Sequence, residues 1–559
     1  MTIENSMQHF DAQEILFAEH LSRLDLLKLD LSKEHGKKIV VNIWRTHGFE
    51  PLIPLMKPFF DFQGWHVDFN ISGYDDTLMF EGRKDASLDI VWLDSIRALG
   101  QVDFREWVNW LAERIMNLRK RSSAPIILAT WIEGVEQVKR LQALVDAVPG
   151  VYFANLLELQ DEISGPFIDI RSEKLAGTPL GRVAQLEIAR KLACHWMPAA
   201  LSSSIKAVIL DLDNTLHSGV LGEDGVDGVK LMPGHLAFQK YIKSLGEKGI
   251  FLALVSKNEL ADVKELFEKR DDYPLRLEDF SAVEVSWAPK SDAIKRVAKT
   301  LRIAPDAMLF VDDNPGELAN VISGVTQIHT LYAHEDAFLT SRAVHNYPAL
   351  WRWRLEEDDA KRILDLKANA ERELLSENIS DPSEYFRGLK VGLIYRYDPL
   401  EQLTRITDLC NKTNQFNLAI QRFNQVEIAE RLKSKAASIA TVQLTDRLSD
   451  SGVIAIIVAS KKNTQLVVEE LCISCRAMGR RLEDTIVLQA LKGMSIIDGC
   501  TEVIFKVSHG PRNQPALDWL ADLLSLAEGP PEGEVHLPIS LVNVFKPIDG
   551  VKIEQGIMK

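Results

Sequence analysis

The chain has 559 residues and a formal net charge of −15, with 65 lysine and arginine residues against 80 aspartate and glutamate residues. Nucleic-acid binding usually depends on a clustered basic face, so this balance argues against a nucleic-acid partner. The length predicts several domains, because a single hydrophobic core rarely grows beyond about 250–300 residues.

Cysteine content and apolar runs bear on the cellular compartment. Five cysteines, scattered along the chain, argue against a disulfide framework and fit a reducing environment. The N-terminal residues lack the basic segment and apolar core of a signal peptide. The longest apolar run, GVIAIIVA (452–459), is less than half of the about 20 residues that span a bilayer. We therefore expect a soluble, cytoplasmic protein with no membrane partner.

The first part of the chain alternates short apolar runs with helical patterns. The runs are KKIVVNIW (37–44), SLDIVWLD (87–94), APIILATWI (124–132) and VYFANL (151–156). Strands that alternate with helices of about 10–15 residues are typical of βαβ units in a parallel sheet. The pattern predicts a first α/β domain over residues 1–200.

A second alternating series predicts another parallel sheet over residues 201–340. Its apolar runs are AVILDL (207–212), IFLALVS (250–256), SAVEVSW (281–287) and AMLFVDD (307–313). The charged segment that follows has helical periodicity, which predicts a helical connector over residues 341–388.

The last part, residues 389–559, predicts an α+β domain. Its apolar runs follow one another through short polar links, which favours antiparallel pairing. These runs are GLIYRY (392–397), SIATVQLT (438–445), GVIAIIVAS (452–460) and QLVVEELCIS (465–474). The fold class predicted for the whole chain is therefore α/β and multidomain.

Polar side chains stand at the ends of the four strands of the second series. In chain order they are Asp211 and Asp213, Ser256, Lys290 at the start of the next helix, and Asp312 with Asp313. Open α/β sheets bind ligands at the carboxyl ends of their strands, so we expect these side chains to share one site. Their chemistry suits phosphoryl transfer.

The carboxylates favour a divalent cation, because Mg²⁺ binds carboxylate oxygens together with waters and substrate phosphate. Asp211, Asp213, Asp312 and Asp313 are the candidate magnesium ligands, with Asp312 favoured over Asp313. Asp211 is also the candidate nucleophile, whose attack on phosphorus would give an aspartyl-phosphate.

The remaining strand-end residues fit supporting roles in the same chemistry. Asp213 is the candidate general acid, and then the base for the water that hydrolyses the aspartyl-phosphate. Ser256 and Lys290 would hold the transferring oxygens, and the lysine would offset the clustered negative charge. The alternative is a domain in which these residues serve only the fold. Few packing roles would require all four strand ends, so catalysis is the favoured interpretation.

Four strings in this region resemble the haloacid dehalogenase (HAD) superfamily and, within it, the capless FkbH-like members of subfamily IIIC. They are DLDNTLHSGVLGEDG (211–225), LVSKNELADV (254–263), SWAPKSDAI (286–294) and FVDDNPGEL (310–318). That subfamily typically has Trp-Gly-Gly where this chain has His217-Ser218-Gly219. The short gaps between motifs leave only a glycine-rich hairpin, GVLGEDGVDG (219–228), to lean over an otherwise open site.

The resemblance extends into the C-terminal part, which is similar to the GNAT-like acyltransferase region of FkbH-like proteins. The matching strings are NKTNQFNLAIQRF (411–423), DRLSDSG (446–452) and ISCRAMGRRLED (473–484). The resemblance implies an enzyme that takes a glyceryl unit from 1,3-bisphosphoglycerate, removes the remaining phosphate, and loads glyceryl on the phosphopantetheine arm of an acyl carrier protein. The implied setting is polyketide or related natural-product biosynthesis.

The C-terminal part contains candidate residues for the acyl group and its carrier. Arg476, Gly479 and Arg481 follow a strand and precede a helix, which resembles the anion-binding pyrophosphate loop of GNAT proteins. Asn513 stands where that fold often contacts pantetheine. Cys475 is the candidate acyl acceptor, because the neighbouring arginine and helix N-terminus would favour its thiolate. The alternative is a small buried cysteine on a strand.

Three other residues of this part have ordinary structural interpretations. Cys410 and Cys472 fit packing positions on a helix and a strand, and His509 fits a loop histidine unless the fold brings it to the candidate acyl acceptor.

The first domain resembles an SGNH-hydrolase-like module without its catalytic residues. Arg45-Thr46-His47-Gly48 stands where that family has its serine after the first strand, so we predict a non-hydrolytic domain that docks a partner or shapes the site. Arg45 and His47 are either ligand contacts or ordinary loop residues.

Two further functions remain open at the level of sequence. One is a phosphatase of a small phosphoester with a regulatory GNAT-like domain. The other is a carrier-protein-binding scaffold without turnover, which the complete set of strand-end residues argues against.

Overall fold

The computed structural model describes residues 3–31, 36–202, 204–354, 357–378 and 381–556. They form two compact units, residues 1–354 and 355–559, and each unit has its own hydrophobic core. The predicted multidomain α/β class is confirmed, because the first unit holds two parallel five-stranded sheets and the second a mixed seven-stranded sheet. The domain boundaries predicted at residues 200, 340 and 388 stay predictions.

The first sheet has the strand order β2-β1-β3-β4-β5, and all of its strands run parallel. Its strands are β1 Lys37–Arg45, β2 Trp65–Tyr74, β3 Leu88–Trp92, β4 Ile126–Thr130 and β5 Val151–Asn155. β3 and β4 are buried along their whole length, which explains their continuous apolar sequences. The sequence prediction missed β2, an edge strand whose apolar residues alternate with polar ones.

Nine α-helices lie in the described residues before the second sheet. They are α1 Ile3–Leu16, α2 Arg23–Lys28, α3 Ile53–Gln63, α4 Ser95–Leu99, α5 Phe104–Arg121, α6 Val135–Asp146, α7 Ile170–Ala176, α8 Arg182–Lys191 and α9 Met197–Leu201. A π-helical turn, Leu192–Trp196, joins α8 to α9.

The second sheet has the order β10-β9-β6-β7-β8 and is also parallel throughout. Its strands are β6 Ala207–Leu210, β7 Phe251–Ser256, β8 Ala282–Val285, β9 Met308–Asp312 and β10 His329–Tyr332. Its helices are α10 Leu221–Gly228, α11 Pro233–Glu247, α12 Leu260–Lys269, α13 Lys290–Leu301, α14 Pro315–Gly324 and α15 Ala337–His345. The chain builds β7 and β8 on one side of β6 and β9 and β10 on the other, so the crevice between β6 and β9 is the topological switch point.

The glycine-rich segment after β6 differs from the predicted hairpin. A single antiparallel bridge between Ser218 and Lys230 closes its base, but the segment between them contains helix α10. Gly225 has a φ of 69°, a left-handed conformation that kinks the helix and that favours glycine. The segment is therefore largely helical and is not the predicted β-hairpin.

The second unit is built on one mixed sheet with the order β16-β15-β14-β13-β12-β11-β17. Its strands are β11 Gly392–Tyr397, β12 Ala437–Thr445, β13 Asp450–Lys462, β14 Gln465–Ile473, β15 Glu502–Val507, β16 Gly533–Pro538 and β17 Lys552–Gln555. Antiparallel pairing was predicted for the four strands from β11 to β14, and it is confirmed for each neighbouring pair: β11 with β12, β12 with β13, and β13 with β14. β14 pairs with β15, and β11 with β17, in parallel.

Seven helices of the second unit lie within the described residues, and none in either unit is long and apolar enough to cross a membrane. They are α16 Glu357–Asn378, α17 Pro382–Leu389, α18 Leu403–Lys412, α19 Gln425–Lys433, α20 Glu483–Gly493, α21 Gln514–Leu524 and α22 Ile539–Val544. Buried ion pairs anchor α16: Arg372 contacts Asp365 and Asp446, and Arg480 contacts the same two carboxylates.

Candidate active site

Three carboxylates meet at the carboxyl edge of the second sheet. β6 and β9 are adjacent parallel strands, and the Asp211 amide extends their pairing by donating to the Val311 carbonyl at 3.0 Å. This register places Asp211 beside Asp312 and Asp313, and one oxygen of each of the three carboxylates lies within 4.8 Å of the others. The structure thus brings together residues that are about 100 positions apart in the chain.

Lys290 is the cation of this cluster. It is the first residue of α13, and its Nζ lies 2.9 Å from Asp211 Oδ1 and 2.6 Å from Asp312 Oδ2. Burial lowers the pKa of an ammonium, but the two carboxylates outweigh this effect and raise the pKa of Lys290. The lysine therefore stays charged and binds both aspartates at once.

One ammonium does not balance three carboxylates. Burial, followed by repulsion from Asp312, raises the pKa of Asp211 despite the opposing charge of Lys290. Burial and the charge of Asp211 raise the pKa of Asp313 to about 6. The excess negative charge and the clustered hard oxygens fit a divalent cation such as Mg²⁺, which would relieve the repulsion.

Asp213 lies outside the close carboxylate group and has a different environment. Its carboxylate accepts hydrogen bonds from the Leu221 amide at 2.9 Å and Asn258 Nδ2 at 2.8 Å, and His217 Nε2 lies 3.2 Å away. Burial raises the pKa of Asp213, but the hydrogen bonds outweigh it and hold the pKa below its usual range. Among the described residues, the close carboxylate group consists of Asp211, Asp312 and Asp313, and the assignment of Asp213 as a metal ligand stays a prediction.

Two polar residues to which the sequence interpretation gave no role complete this arrangement. Asn258 Nδ2 donates to Ser256 Oγ at 3.0 Å as well as to Asp213, so one buried amide links the ends of β6 and β7. His217 is fully buried, and it occupies the first position of the expected Trp-Gly-Gly. Asn258 follows Ser256 by two residues, so a polar residue at that spacing was the available signal.

The loop from β14 to α20 contains the predicted anion-binding residues. Cys475 is half-buried, Arg476 is buried, and Gly479 and Arg481 both have positive φ values, 74° and 56°. The Gly479 amide donates to Glu483 Oε1 at 3.2 Å, so a carboxylate of the chain already uses one N–H of this loop. The roles predicted for these four residues stay predictions.

Asn513 serves the fold of the second unit. It is fully buried, and its Nδ2 donates to the carbonyls of Asn417 at 2.9 Å and Ser508 at 2.8 Å, while its Oδ1 accepts from the Gly510 amide at 2.9 Å. The Leu418 amide in turn donates to the Leu471 carbonyl at 3.1 Å. Asn513 therefore holds a segment of the chain against β14, and every hydrogen-bonding group of its amide faces the backbone.

We expect Asn513→Ala to destabilise the second unit by about 1–3 kcal/mol, because it leaves the Asn417 and Ser508 carbonyls and the Gly510 amide without this partner. Urea unfolding monitored by circular dichroism measures the change. Asn543→Ala, at an exposed position of α22, is the control and should change stability little. Unchanged stability with a selective loss of pantetheine binding would instead assign Asn513 to ligand contact.

Three other residues considered in the sequence analysis, Arg45, His47 and His509, have side chains that contact groups of the chain itself. Arg45 pairs with Glu50 and stacks over Tyr74 at 4.4 Å. His47 is buried, its Nδ1 lies 3.1 Å from Thr178 Oγ1, and burial, with the Arg45 charge second, lowers its pKa to about 3. His509 Nε2 lies 2.9 Å from the Pro530 carbonyl.

Comparison with known proteins gives matches among solved structures alone: no protein-family model and no curated protein matches the chain. The N-terminal part of the protein BF1531 from Bacteroides fragilis, containing a phosphatase domain complexed with Mg, is 20% identical with a TM-score of 0.44; the match covers 60% of this chain and 99% of that one. A GCN5-related glucosamine N-acetyltransferase region of a fungal multi-domain GH3 β-N-acetylglucosaminidase is 11% identical with a TM-score of 0.18, covering 94% and 67%. These values are low, so the function proposed below rests on the chain's own residues.

Proposed function

We propose that the second sheet of the first unit carries a Mg²⁺-dependent phosphatase site. The observation that supports this most directly is the cluster of Asp211, Asp312 and Asp313 around Lys290 at the topological switch point. Asp211, Asp312 and Asp313 would hold the cation. When bound, Mg²⁺ would screen the repulsion between an attacking carboxylate and an anionic phosphate.

Asp211 is the nucleophile in this proposal. Its carboxylate attacks phosphorus, the bond from phosphorus to the leaving oxygen breaks, and an aspartyl-phosphate forms. Lys290, 2.9 Å from Asp211 Oδ1, orients this carboxylate and offsets part of the charge that builds up on the transferring oxygens. Ser256 Oγ accepts from Asn258, so its own hydroxyl proton is available to one of those oxygens.

Asp213 moves the protons of both half-reactions. It protonates the leaving oxygen, and as a carboxylate it then removes a proton from the water that hydrolyses the aspartyl-phosphate. The hydrogen bonds from Leu221 and Asn258 favour the carboxylate form that the second step needs. His217 Nε2, 3.2 Å from Asp213 Oδ1, is placed to exchange a proton with it in the first step.

The finer proposal is glyceryl loading on an acyl carrier protein. The FkbH-like strings of the sequence support it. In this scheme the Cys475 thiolate attacks the acyl phosphate of 1,3-bisphosphoglycerate, a thioester forms and phosphate leaves. The Asp211 site hydrolyses the remaining phosphoester, and the pantetheine thiol of the carrier then takes the glyceryl group from Cys475.

One experiment tests both levels of the proposal. The full chain is incubated with 1,3-bisphosphoglycerate and a phosphopantetheinylated carrier protein, with Mg²⁺ or with EDTA; phosphate release and the intact masses of both proteins are recorded. Mg²⁺-dependent release beyond spontaneous acyl-phosphate hydrolysis and a glyceryl adduct on the carrier support the full scheme, and Cys475→Ala should then abolish the adduct. Release without acylated protein leaves a phosphatase with a regulatory C-terminal unit. Carrier binding without release, with binding measured by co-elution of the two proteins in gel filtration, would indicate a scaffold and would overturn the proposal.

A further inference from the structure

The first sheet has its own cavity, separate from the carboxylate cluster of the second sheet. It has a volume of about 310 Å³, within the range of about 300–1,000 Å³ that small-molecule sites occupy. Thr46, which follows β1, and Leu93 and Asp94, which follow β3, form part of its lining. The cavity therefore lies at the carboxyl ends of two adjacent parallel strands.

The position of this cavity is the one that the topology of the first sheet favours for a ligand. The chain passes from β1 to β2 on one side and then returns to place β3 on the other side of β1. The crevice outside the ends of β1 and β3 is thus the topological switch point of this sheet, where open α/β sheets bind ligands.

The cavity is largely apolar, and its lining includes both buried and exposed residues. Leu93 and Trp107 are each 3% exposed and Asp94 is 9% exposed, whereas Arg97 and Glu106 are exposed. Apolar side chains beside a buried carboxylate would suit a ligand with an apolar body and a hydrogen-bond donor.

The charged residues of the lining favour a hydrogen-bond donor that carries a positive charge. Arg97, the one basic residue of the lining, pairs with Asp76 at 2.8 Å. Within the described part of the chain, neither Asp94 nor Glu106 has a basic side chain at ion-pair distance, so the lining carries an excess of negative charge. Burial raises the pKa of Asp94, while the Arg97 amide, which donates to its Oδ1 at 3.0 Å, opposes the rise. A cation beside Asp94 would remove the cost of this buried charge.

We propose that the cavity lined by Leu93, Asp94, Trp107 and Trp110 binds a small primary amine with an aromatic body. Its ammonium group donates to the Asp94 carboxylate, and its ring packs against Leu93 and the two indoles, which also attract a cation through their faces. The site stands independently of the phosphatase proposal, since it shares no residue with the second sheet.

Isothermal titration of the full chain with phenethylamine tests this site. The neutral and anionic counterparts are 2-phenylethanol and phenylacetate. We expect saturable binding of the amine, at least about tenfold weaker binding of the alcohol, and weaker binding still of phenylacetate, because the charge-assisted hydrogen bond contributes only to the amine. Equal affinities for the amine and the alcohol, or no saturable binding of the amine, would overturn the proposal.

Matched variants locate the binding to the cavity. Asp94→Asn keeps a side-chain acceptor for the Arg97 amide at the start of α4, so the fold should persist while the amine affinity falls about tenfold or more. Asp103→Asn, at the corresponding cap of α5 but outside the cavity lining, should leave the affinity unchanged. Trp110→Ala should weaken the amine and the alcohol alike. Unaltered amine binding by Asp94→Asn would show that the carboxylate does not hold the ligand.

Discussion

Asp211→Asn is expected to abolish Mg²⁺-dependent phosphate release, with a loss of at least on the order of 10³-fold, while the protein stays folded. Asparagine has the size of aspartate and can still accept the Lys290 hydrogen bond at Oδ1, but it cannot attack phosphorus. The variant also removes one of three crowded negative charges, so its melting temperature should be equal to or above that of the wild type when Mg²⁺ is absent. Phosphate release and thermal melting on one preparation give both readouts.

Two further substitutions show whether the loss of activity is specific to the proposed catalytic residues. Asp292→Asn, at an exposed position in the first turn of α13, is the matched control and should keep full activity. Asp213→Asn should reduce turnover by roughly 10²–10⁴-fold, the usual contribution of a general acid and base. If Asp211→Asn released phosphate nearly as fast as the wild type, the nucleophilic role would be contradicted and the carboxylate cluster would be only a binding site.

The positions of the reacting side chains could be predicted because they follow from topology. Asp211, Ser256 and Asp312 each end a run of apolar residues, and parallel strands bring such ends to one edge of the sheet. The strands themselves were found from the same runs. Five strands were missed: β2, β10, β15, β16 and β17. β2 alternates apolar with polar residues at a sheet edge, and β10 has only four residues.

The partners of those side chains could not be predicted, because they depend on side-chain directions in loops. Nothing in the pattern around Asn258 shows that its amide reaches both Ser256 and Asp213. His217 replaces the tryptophan that the resemblance leads one to expect, and only the structure shows that its ring lies beside Asp213. Burial raises the pKa of Asp213, whereas hydrogen bonds from both residues lower it.

Contacts between distant segments explain why the surroundings of Asn513 could not be predicted. Asn513 and Asn417 are separated by 96 positions, so no local pattern could show that one amide holds the other residue's carbonyl. The amide of Asn513 hydrogen-bonds to the backbone, and the pantetheine contact that the resemblance implies for this residue stays a prediction. The antiparallel pairing of β12 with β13 and of β13 with β14, in contrast, followed from the short polar links between these strands.

Lys290→Met is expected to impair both stability and activity. It leaves Asp211 and Asp312 buried without their shared cation, and losing one partner of a buried pair typically costs about 3–5 kcal/mol. Turnover should fall by roughly 10²–10³-fold, because a charge that stabilises the transferring oxygens is removed. Melting temperatures and phosphate release, each measured with and without Mg²⁺, test the two effects separately.

The dependence on Mg²⁺ distinguishes the active-site role of Lys290 from simple packing. In the variant the carboxylate cluster has no neutralising ammonium, so Mg²⁺ should raise the melting temperature more than it does in the wild type. Lys295→Met on the same helix removes an exposed lysine paired with Asp292 at 3.0 Å, and it should change stability by less than about 1 kcal/mol. If Mg²⁺ raised the melting temperature of the wild type and of Lys290→Met equally, the cation would not bind at this cluster. The proposed phosphatase mechanism would then be contradicted at its metal site.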